Sequence, residues 1–313
     1  AAFTNIARDH MDYHKTDEAY FAAKMKLFTE ILPAGKTAVL TSDSVIPAKA
    51  GIQCAESSAQ ESAGCHIAQF FSESLHSSEK LASGMTIIDF GKNARAFRIL
   101  SITPHARGQR VECELMGTKY SLEVPLVGAF QVDNILAALG LLVGCGEPIE
   151  QLLPLIPKLR GVPGRLEHVA TTPKGASVFV DYAHTPAALE NILKTLRAHT
   201  ENKLHVVFGC GGDRDSGKRP EMGAVAARLA DNVIVTDDNP RNENPASIRA
   251  AILAAAPGAT EIADRAAAIA AAMKNLNTGD VLVVAGKGHE TTQTIGNQAT
   301  PFYDPDYIRK AMA

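Results

Sequence analysis

The sequence of 313 residues has no strong net charge, no long apolar run and no closely spaced cysteine pair. Its formal net charge of -3 and its pI of about 6.4 show none of the excess positive charge that is typical of proteins that bind nucleic acid or anionic membranes. No apolar stretch approaches the length that spans a bilayer, and the N-terminal residues lack the basic and apolar regions of a signal peptide. We therefore expect a cytoplasmic protein that binds neither nucleic acid nor membranes.

The cysteines are too scattered to form a framework. Their number is odd and none belongs to a Cys-x-x-Cys pair, so the sequence indicates neither a set of disulfides nor a thiolate zinc site. Cys210 follows a predicted strand, but no pattern places a histidine beside it, and a buried thiol is the simpler interpretation. We expect reduced and mostly buried side chains at all positions: Cys54, Cys65, Cys113, Cys145 and Cys210.

Two motifs that would define other nucleotide-binding proteins are incomplete. GCGGDRD at 209–215 is similar to a dinucleotide fingerprint, but Arg214 occupies the third glycine position, where a bulky side chain would prevent close packing of helix and strand. The tripeptide GKT at 35–37 is similar to the end of a P-loop. However, Glu30 stands where that loop requires glycine, and the tripeptide precedes a strand. We reject a Rossmann dehydrogenase and predict a turn at 35–37.

The first half of the chain mixes helices and strands. We predict helices from Asp17 to Ile31 and from about Val132 to Val143. The strand candidates are 37–40, 85–90, 96–102, 110–115 and 118–124. Residues 44–80 are rich in Ser, Ala, Gln and Glu with little periodicity, so we expect a long surface excursion or a partly disordered loop there.

The second half is a regular alternation of strands and helices. Prolines and glycines between 154 and 164 predict a linker, and with 46% hydrophobic content the chain can form two cores, at 1–162 and 163–313. After the linker we predict strands at 177–182, 205–210, 232–236 and 280–285. We predict helices at 186–199, 220–230, 245–255 and 263–275. This pattern indicates an α/β fold, a Rossmann-like and mostly parallel sheet with helices on both faces.

Polar segments follow four of these strands. The first begins at Asp181 and leads through Thr185 and Pro186, a good helix cap and first turn. In the second, glycines let backbone amides approach a ligand, and positive charge comes from Arg214, Lys218 and Arg219. The segments after the first are GCGGDRDSGKR at 209–219, DDNPR at 237–241 and GKGHE at 286–290. Because the carboxyl ends of parallel strands meet at one edge of a sheet, we expect all four segments to converge there.

The DDNPR segment is the most informative of the four. Pro240 holds the backbone in a non-helical turn, Arg241 offers a planar fork of donors, and Asn239 offers a donor and an acceptor. This combination suits the carboxylate and the ammonium of an amino acid, and Glu290 in the fourth segment is able to bind the ammonium. The alternative is a polar turn between strand and helix with a surface arginine.

A lysine lies on the apolar side of the first predicted helix. Helical spacing places Lys24 on one stripe with Tyr20, Leu27, Phe28 and Ile31. Burial favours the neutral amine, which can act as a nucleophile or react with carbon dioxide to give a carbamate that ligates metal. The alternative is a lysine whose stem lies on the stripe while its ammonium reaches water.

Eight motifs, in order along the chain, resemble those of the Mur ligase family. They are TNIARDHMDYH, AAKMKLF, FQVDNILAALG, GVPGRLE, VDYAHTP, FGCGGDRDSGKRPEMG, TDDNPRNENP and AGKGHE. The resemblance runs from Asn5 to Glu290 apart from residues 44–80. It implies part of a central ATP-binding domain at 1–162 and a C-terminal amino-acid-binding ligase domain at 163–313. Relatives such as folylpolyglutamate synthase share the ATPase plan, but the DNPR and GKGHE runs count against them.

The resemblance implies ATP-dependent amide formation in peptidoglycan synthesis. A terminal carboxylate is phosphorylated, and the amine of an incoming amino acid displaces phosphate. The implied substrates are UDP-N-acetylmuramoyl-L-alanyl-D-glutamate and meso-diaminopimelate, with ATP and Mg²⁺ as cofactors. The resemblance also implies that Lys24 is carbamylated and that Lys24 and His10 ligate magnesium, which neutralises charge on the phosphates. It likewise implies that Asn134 contacts the adenine, Arg165 the phosphates and Asp181 the ribose.

The family pattern also implies an amino-acid pocket. The residues that it places around diaminopimelate are Arg214, Asp238, Asn239, Pro240, Arg241, Gly286 and Glu290. Two arginines can hold the carboxylate of the distal centre and Glu290 its ammonium, and such a pocket would reject lysine, which lacks that carboxylate. Family members that use lysine typically lack the DNPR arginine, so Arg241 is the predicted specificity residue.

Three parts of the family pattern are missing from the sequence. They are the N-terminal domain for the UDP-sugar, the P-loop and the acidic metal ligand that follows the P-loop. We therefore expect the chain to be a fragment of a longer protein and to be inactive as a ligase on its own. The alternative is a non-catalytic amino-acid-binding module that kept the pocket after losing the P-loop.

Overall fold

The computed structural model describes residues 1–4, 17–43, 45–47, 64–66 and 85–312. His10 and most of the segment 44–80 lie outside the described residues. The chain divides into two compact units. Unit 1 comprises Ala1–Thr103, Arg110–Val124 and Ala129–Lys158, and unit 2 comprises Pro104–Gln109, Pro125–Gly128 and Leu159–Ala313. The functional assignment of domains at 1–162 and 163–313 stays a prediction.

Unit 1 contains a six-stranded sheet. Its strands are β1 (Ala2–Phe3), β2 (Thr37–Thr41), β5 (Thr86–Gly91), β6 (Phe97–His105), β7 (Gly108–Leu115) and β8 (Thr118–Val124). They lie in the order β1-β2-β5-β6-β7-β8, and the first four are parallel to one another. A separate antiparallel pair joins β3 (Val45–Pro47) to β4 (Gly64–His66).

The helices of unit 1 include α1 (Asp17–Lys26), α2 (Ala129–Gly144) and α3 (Ile149–Leu152). A 3-10 helix, Leu153–Lys158, follows α3 directly. Helix α2 packs closely on the sheet because glycine faces it: a Cβ atom on Gly140 would lie only 2.8 Å from Cγ1 of Val39. On the opposite face of β2, Leu40 packs in a core with Phe3 and Phe28.

The apolar stripe predicted for the first helix is only partly correct. After α1 the chain continues as a π-helical turn, Leu27–Ile31, closed by a hydrogen bond from Leu32 N to Leu27 O. A π-turn holds more residues than an α-turn, so side chains after Lys26 rotate away from the α-helical spacing. Phe28 is buried, but Leu27 and Ile31 are 38% and 67% exposed.

Unit 2 contains the mostly parallel sheet that the sequence predicts. Its strands are β9 (Glu167–Thr171), β10 (Ser177–Asp181), β11 (Leu204–Phe208), β12 (Asn232–Val235), β13 (Thr260–Glu261) and β14 (Val281–Ala285). Their order is β13-β12-β11-β14-β10-β9. All neighbours are parallel except β9, which is antiparallel to β10. The prediction of an α/β fold is confirmed.

Helices cover both faces of this sheet. They are α4 (Pro186–Arg197), α5 (Lys218–Leu229), α6 (Pro245–Leu253), α7 (Arg265–Lys274) and α8 (Asp304–Met312). Alternate strand residues point to opposite faces. Phe179 therefore packs in the core with α4, α5 and α6, while Val178 and Val180 pack with α7 and α8. Thr185 caps α4 by accepting a hydrogen bond from Ala188 N, as its position before Pro186 predicts.

Several short elements were not predicted. An antiparallel hairpin of β15 (Thr292–Ile295) and β16 (Gln298–Pro301) follows the last parallel strand, and α8 comes after it. The hairpin strands are polar and mostly exposed, so they show no apolar alternation. None of the helices that the structure describes is long and apolar enough to cross a membrane.

Candidate active site

The four polar segments after the strands of unit 2 converge, as predicted. Strand β14 lies between β10 and β11, and β11 lies beside β12, so all four strands end at the same edge. The segments contact one another through hydrogen bonds from Gly286 N to Asp181 O (3.0 Å) and from Gly212 N to Asn239 O (2.9 Å). Lys218 Nζ donates to His184 O at 2.8 Å.

Two glycines allow the second and third segments to touch. A Cβ atom on Gly209 would lie 2.2 Å from Thr236 O, and one on Gly212 would lie 1.9 Å from Pro240 O. No side chain fits at these distances. The glycines of the second segment therefore serve the contact with the DDNPR segment, in addition to any role toward a ligand.

Asn239, Lys287 and Glu290 form a hydrogen-bonded cluster. Asn239 Oδ1 accepts from Lys287 Nζ at 3.0 Å and from Thr294 N at 2.9 Å. Asn239 Nδ2 donates to Glu290 Oε2 at 2.9 Å, and Lys287 Nζ lies 3.4 Å from the same oxygen. Within the described part of the chain, Oε1 of Glu290 has no hydrogen-bond partner. The cluster thus leaves one carboxylate oxygen available to a ligand.

Arg241 is held in an unusual conformation. Its φ of +51° is in the left-handed region, which a residue with a side chain occupies only when its surroundings enforce it. The hairpin provides that constraint, because Arg241 N donates to Thr294 O and Arg241 O accepts from Gly296 N. The guanidinium is half-buried and uses one nitrogen, NH1, to donate to Gly212 O at 2.8 Å.

Arg214 and Arg241 both lie close to one glycine, Gly211. A Cβ atom on Gly211 would lie 2.8 Å from Arg241 NH1 and 3.9 Å from Arg214 Cγ. Arg214 is exposed, and its NH1 donates to the carbonyl of Asp213. Among the described residues, neither guanidinium pairs with a carboxylate. Both cations are therefore available to an anionic ligand at this edge of the sheet.

The buried carboxylate of Asp238 lies close to the backbone of Gly286. Asp238 is 8% exposed, and burial raises the pKa of its carboxyl, while the cations Arg265 and Lys287 act to lower it. Gly286 has a φ of +113°, and a Cβ atom there would lie 2.6 Å from Asp238 Oδ2. Glycine at 286 is thus required by its backbone angle and by the adjacent carboxylate.

Arg219 was predicted to supply positive charge to a ligand, and this prediction is wrong. Its side chain is buried and donates to Glu243 Oε1 at 2.8 Å. The same oxygen accepts from Asp213 N at 2.6 Å. Arg219 and Glu243 therefore link the second segment to the residues that follow the third. A buried guanidinium is unfavourable unless a carboxylate lies beside it.

The residues predicted to contact nucleotide in unit 2 also lie at this edge. Arg165 is exposed, and its guanidinium stacks over the Tyr182 ring at 4.4 Å from the centroid. Asp181 is buried, and its two oxygens accept from Leu166 N and Ala183 N, each at 2.7 Å. Burial raises the pKa of Asp181, and these two backbone bonds oppose the rise. Asp181 thus fixes the turn that carries Arg165.

A group of rings beside Arg165 was missed by the sequence analysis. The centroid of the Tyr182 ring lies 4.6 Å from that of His184 and 5.2 Å from that of His289. A Cβ atom on Gly288 would lie 2.7 Å from Tyr182 Cβ, so this glycine lets the first and fourth segments pack together. The available signal was an aromatic or histidine residue one to four positions beyond the end of a strand.

The predicted site residues of unit 1 lie apart in its fold. Lys24 is half-buried on α1, and its Nζ lies 4.8 Å from the centroid of the Tyr20 ring. Asn134 is exposed on α2 and lies within 3.5 Å of Gln131. Next to it on α2, burial and the Asp43 carboxylate raise the pKa of Asp133 to about 6, against the opposing charge of Lys92.

The described residues do not by themselves form a metal site. No cluster of three or more His, Cys, Asp or Glu side chains among them could hold a metal ion. An unmodified Lys24 offers no oxygen ligand, and His10 lies outside the described residues. Of the described cysteines, Cys113 and Cys210 are buried while Cys145 is exposed. Cys210 is 4% exposed, which confirms the predicted buried thiol, and burial raises its pKa to about 11.

A cavity of about 310 Å³ lies away from the converging segments. It is lined at the amino ends of β11, β12 and β14, with His205 and Asp280 among its walls. His205 Nε2 lies 3.3 Å from Asp280 Oδ2, and burial lowers the pKa of this histidine while Asp280 opposes the change. None of the predicted site residues lines this cavity, so we place the candidate site at the carboxyl edge.

Two family profiles match the chain. The profile described as "Mur ligase middle domain" covers residues 1–80, and "Mur ligase, glutamate ligase domain" covers residues 164–288. A UDP-N-acetylmuramoyl-L-alanyl-D-glutamate--2,6-diaminopimelate ligase from Mesorhizobium japonicum is 46% identical over 310 residues, which is 99% of this chain and 59% of that protein. The ligase of the same name from Caulobacter vibrioides is 47% identical over 97% of this chain and 57% of its own length.

Solved structures give the same result. A structure of UDP-N-acetylmuramoyl-L-alanyl-D-glutamate--2,6-diaminopimelate ligase superposes with a TM-score of 0.73 at 34% identity, over 100% of this chain and 59% of the other. MurF ligase from Thermotoga maritima in complex with ADP shares the fold, with a TM-score of 0.60 at 15% identity over 100% of this chain and 61% of its own. The chain belongs to the Mur ligase family, and it spans under two thirds of the length of the relatives it matches.

Proposed function

We propose that the protein to which this chain belongs is an ATP-dependent ligase that adds meso-diaminopimelate to UDP-N-acetylmuramoyl-L-alanyl-D-glutamate in peptidoglycan synthesis. One observation supports this most strongly. At the carboxyl edge of unit 2, Arg241 pairs with no carboxylate of the described residues. It lies in the same segment as Asn239, which holds Glu290 through Oε2 and leaves Oε1 without a partner in that part of the chain. The relatives named above carry this activity in their names.

The pocket can recognise both charged groups of an amino acid centre. The Arg241 fork is suited to a carboxylate, which it can hold through two parallel hydrogen bonds, and Arg214 adds a second cation beside Gly211. Glu290 Oε1 is suited to an ammonium. Diaminopimelate presents a carboxylate and an ammonium at its distal centre, whereas lysine presents an ammonium alone. With lysine the two arginines would have no carboxylate to bind, so the pocket discriminates against it.

The nucleotide residues form the second part of the proposal. Arg165 is an exposed cation held by Tyr182 and the turn at Asp181, which suits contact with phosphates. Asn134 would contact the adenine and Asp181 the ribose. ATP, when bound, supplies the activation of the acceptor carboxylate, and Mg²⁺ would be held by the Lys24 carbamate and His10. In this assignment residues 1–162 belong to the ATP-binding domain and 163–313 to the amino-acid domain.

The test is amino-acid-dependent phosphate release by the full-length gene product. We expect turnover with meso-diaminopimelate and at least about tenfold less with L-lysine, the ratio that the loss of one charge-assisted hydrogen bond predicts. Arg241→Ala should lose the preference, and Arg309→Ala, an exposed arginine on α8, should keep it. Equal turnover of both amino acids by the unaltered protein would contradict the proposal. Absence of turnover with retained binding would favour the non-catalytic module.

A further inference from the structure

Lys287 is the most unusual lysine in the described part of the chain. Its side chain is fully buried, in the second position after β14 and between two glycines. A buried ammonium is unfavourable unless nearby groups compensate the lost hydration. Two acceptors do so here, Asn239 Oδ1 at 3.0 Å and Glu290 Oε2 at 3.4 Å. Lys287 also acts on Asp238, where its charge opposes the rise in the pKa that burial causes.

The position of Lys287 determines which way the Asn239 amide points. Lys287 Nζ and Thr294 N both donate to Oδ1. If the amide rotated by 180°, its NH₂ group would face these two donors and neither hydrogen bond could form. The rotation would also bring Oδ1 against the carboxylate of Glu290. The observed direction instead aims Nδ2 at Glu290 Oε2, at 2.9 Å. Lys287 and Thr294 therefore lock the amide from one side.

The locked amide in turn orients Glu290. Its Oε2 atom is engaged by Asn239 Nδ2 and lies beside the Lys287 ammonium. A carboxylate held through one oxygen keeps the other free to accept, and Oε1 has no partner among the described residues. Since Glu290 is only about one-third exposed, this free oxygen has a restricted direction. Asn239, Glu290 and Lys287 therefore form one hydrogen-bonded cluster, and Lys287 is its buried member.

We infer that Lys287 is a positioning residue of the amino-acid pocket. Its buried ammonium fixes the direction of the Asn239 amide and, through it, of the Glu290 carboxylate, so that Oε1 faces the ammonium of the incoming amino acid. The identity of that amino acid rests on the proposed function, but the fixing of Asn239 and Glu290 does not. Lys287 itself has no exposed surface and does not contact the ligand.

The inference has a ligand-free test. Lys287→Met keeps the volume of the stem and removes the ammonium, and Lys274→Met, at an exposed position on α7, is the matched control. We expect hydrogen exchange of the Asn239 side-chain NH₂, followed by NMR, to be at least about tenfold faster in Lys287→Met than in the control. Unchanged exchange in a folded Lys287→Met protein would overturn the inference, whatever the ligand is.

The ligand-bound test uses calorimetry and kinetics. Lys287→Met should weaken meso-diaminopimelate binding by about 10- to 100-fold. In the full-length protein it should raise KM for the amino acid and leave KM for ATP unchanged, which general destabilisation would not do. Lys287→Gln retains a donor and should recover part of the affinity and of the Asn239 protection. It also serves as the test protein should Lys287→Met fail to fold.

The outcomes separate the two claims. If the unaltered chain does not bind diaminopimelate but Lys287→Met still speeds exchange of the Asn239 NH₂ group, the proposed substrate fails and the positioning role stands. If diaminopimelate binds with equal affinity to the unaltered chain and to Lys287→Met, the positioning role fails and the proposed substrate stands.

Discussion

The buried pair of Arg265 and Asp304 allows a sharp test of what holds the C-terminal helix to the site. Both side chains are fully buried, and Arg265 donates to the two carboxylate oxygens of Asp304 at 2.8 Å each. Arg265 NH2 also donates to Ala285 O at 3.0 Å, one residue before Gly286. The pair thus connects the first turn of α8 to the end of β14.

The perturbation is Asp304→Ala. It leaves the Arg265 guanidinium buried with the Ala285 carbonyl as an acceptor and without a hydrogen-bonded carboxylate. Removal of one partner of a buried ion pair typically costs about 3–5 kcal/mol. Two lost charge-assisted hydrogen bonds, at about 1.5–3 kcal/mol each, give a similar value. Since domains are stable by about 5–15 kcal/mol, unit 2 should lose a large share of its free energy of unfolding.

The assay is urea unfolding of the chain, with hydrogen exchange of the β14 amides to report on unit 2. The control is Asp306→Ala on the same helix, which breaks an exposed pair with Arg309 and should cost under about 1 kcal/mol. The double variant Arg265→Met with Asp304→Leu should recover most of the loss, because it removes both charges together. Equal effects of Asp304→Ala and Asp306→Ala would refute the reasoning.

Gly212→Ala places a Cβ atom 1.9 Å from Pro240 O and should lower the free energy of unfolding by about 1–3 kcal/mol in a urea titration. Gly161→Ala, which meets only an ordinary contact at 3.7 Å, should stay near the unaltered value, and equal losses would count against the close approach. His199 is buried and neutral, with Nε2 accepting from Gly128 N, and burial lowers its pKa below the ordinary value of 6.5. The unfolded chain therefore binds the proton first, so this contribution to stability is complete above about pH 6.5 and is lost as the pH falls. His199→Gln should flatten the decline of the urea midpoint between about pH 7 and pH 5, and an unchanged slope would contradict this assignment.

The sheet of unit 2 could be predicted because its strands are continuous apolar runs separated by capped helices. Strands buried on both faces, such as β11 and β14, are apolar at nearly every position, and Thr185 and Pro186 signal the start of α4. The convergence of the four polar segments then followed from the parallel arrangement alone. These features are local in the sequence or follow from general rules of sheet topology.

The hairpin of β15 and β16 could not be predicted from its own residues. Its strands are polar, and what stabilises its position is contact with the DDNPR segment: Gln293 Nε2 donates to Asp238 O, and Thr294 N donates to Asn239 Oδ1. Such contacts join residues 55 positions apart in the chain, and no spacing rule reveals them. The left-handed conformation of Arg241 depends on the same hairpin and was missed for the same reason.

Burial of charged residues was the main source of error. Arg219 and Lys287 both occur in glycine-rich segments, and both are buried. Arg219 pairs with Glu243, just after the DDNPR segment, whereas Lys287 donates to Asn239 of the DDNPR segment and lies beside Glu290 of its own segment. The predicted stripe around Lys24 was only partly correct for a different reason, since the change from α- to π-helix at Leu27 alters the spacing of later side chains. The roles of Lys24, His10 and Asn134 stay predictions.

The central claim is that the carboxyl edge of unit 2 binds the distal centre of diaminopimelate through Arg241 and Glu290. The most direct measurement is a calorimetric titration of the chain with meso-diaminopimelate and, in parallel, with L-lysine. The account predicts binding of diaminopimelate only, lost in Arg241→Ala and retained in the surface control Arg309→Ala. Binding of both amino acids with equal affinity, or an unchanged titration in Arg241→Ala, would contradict it.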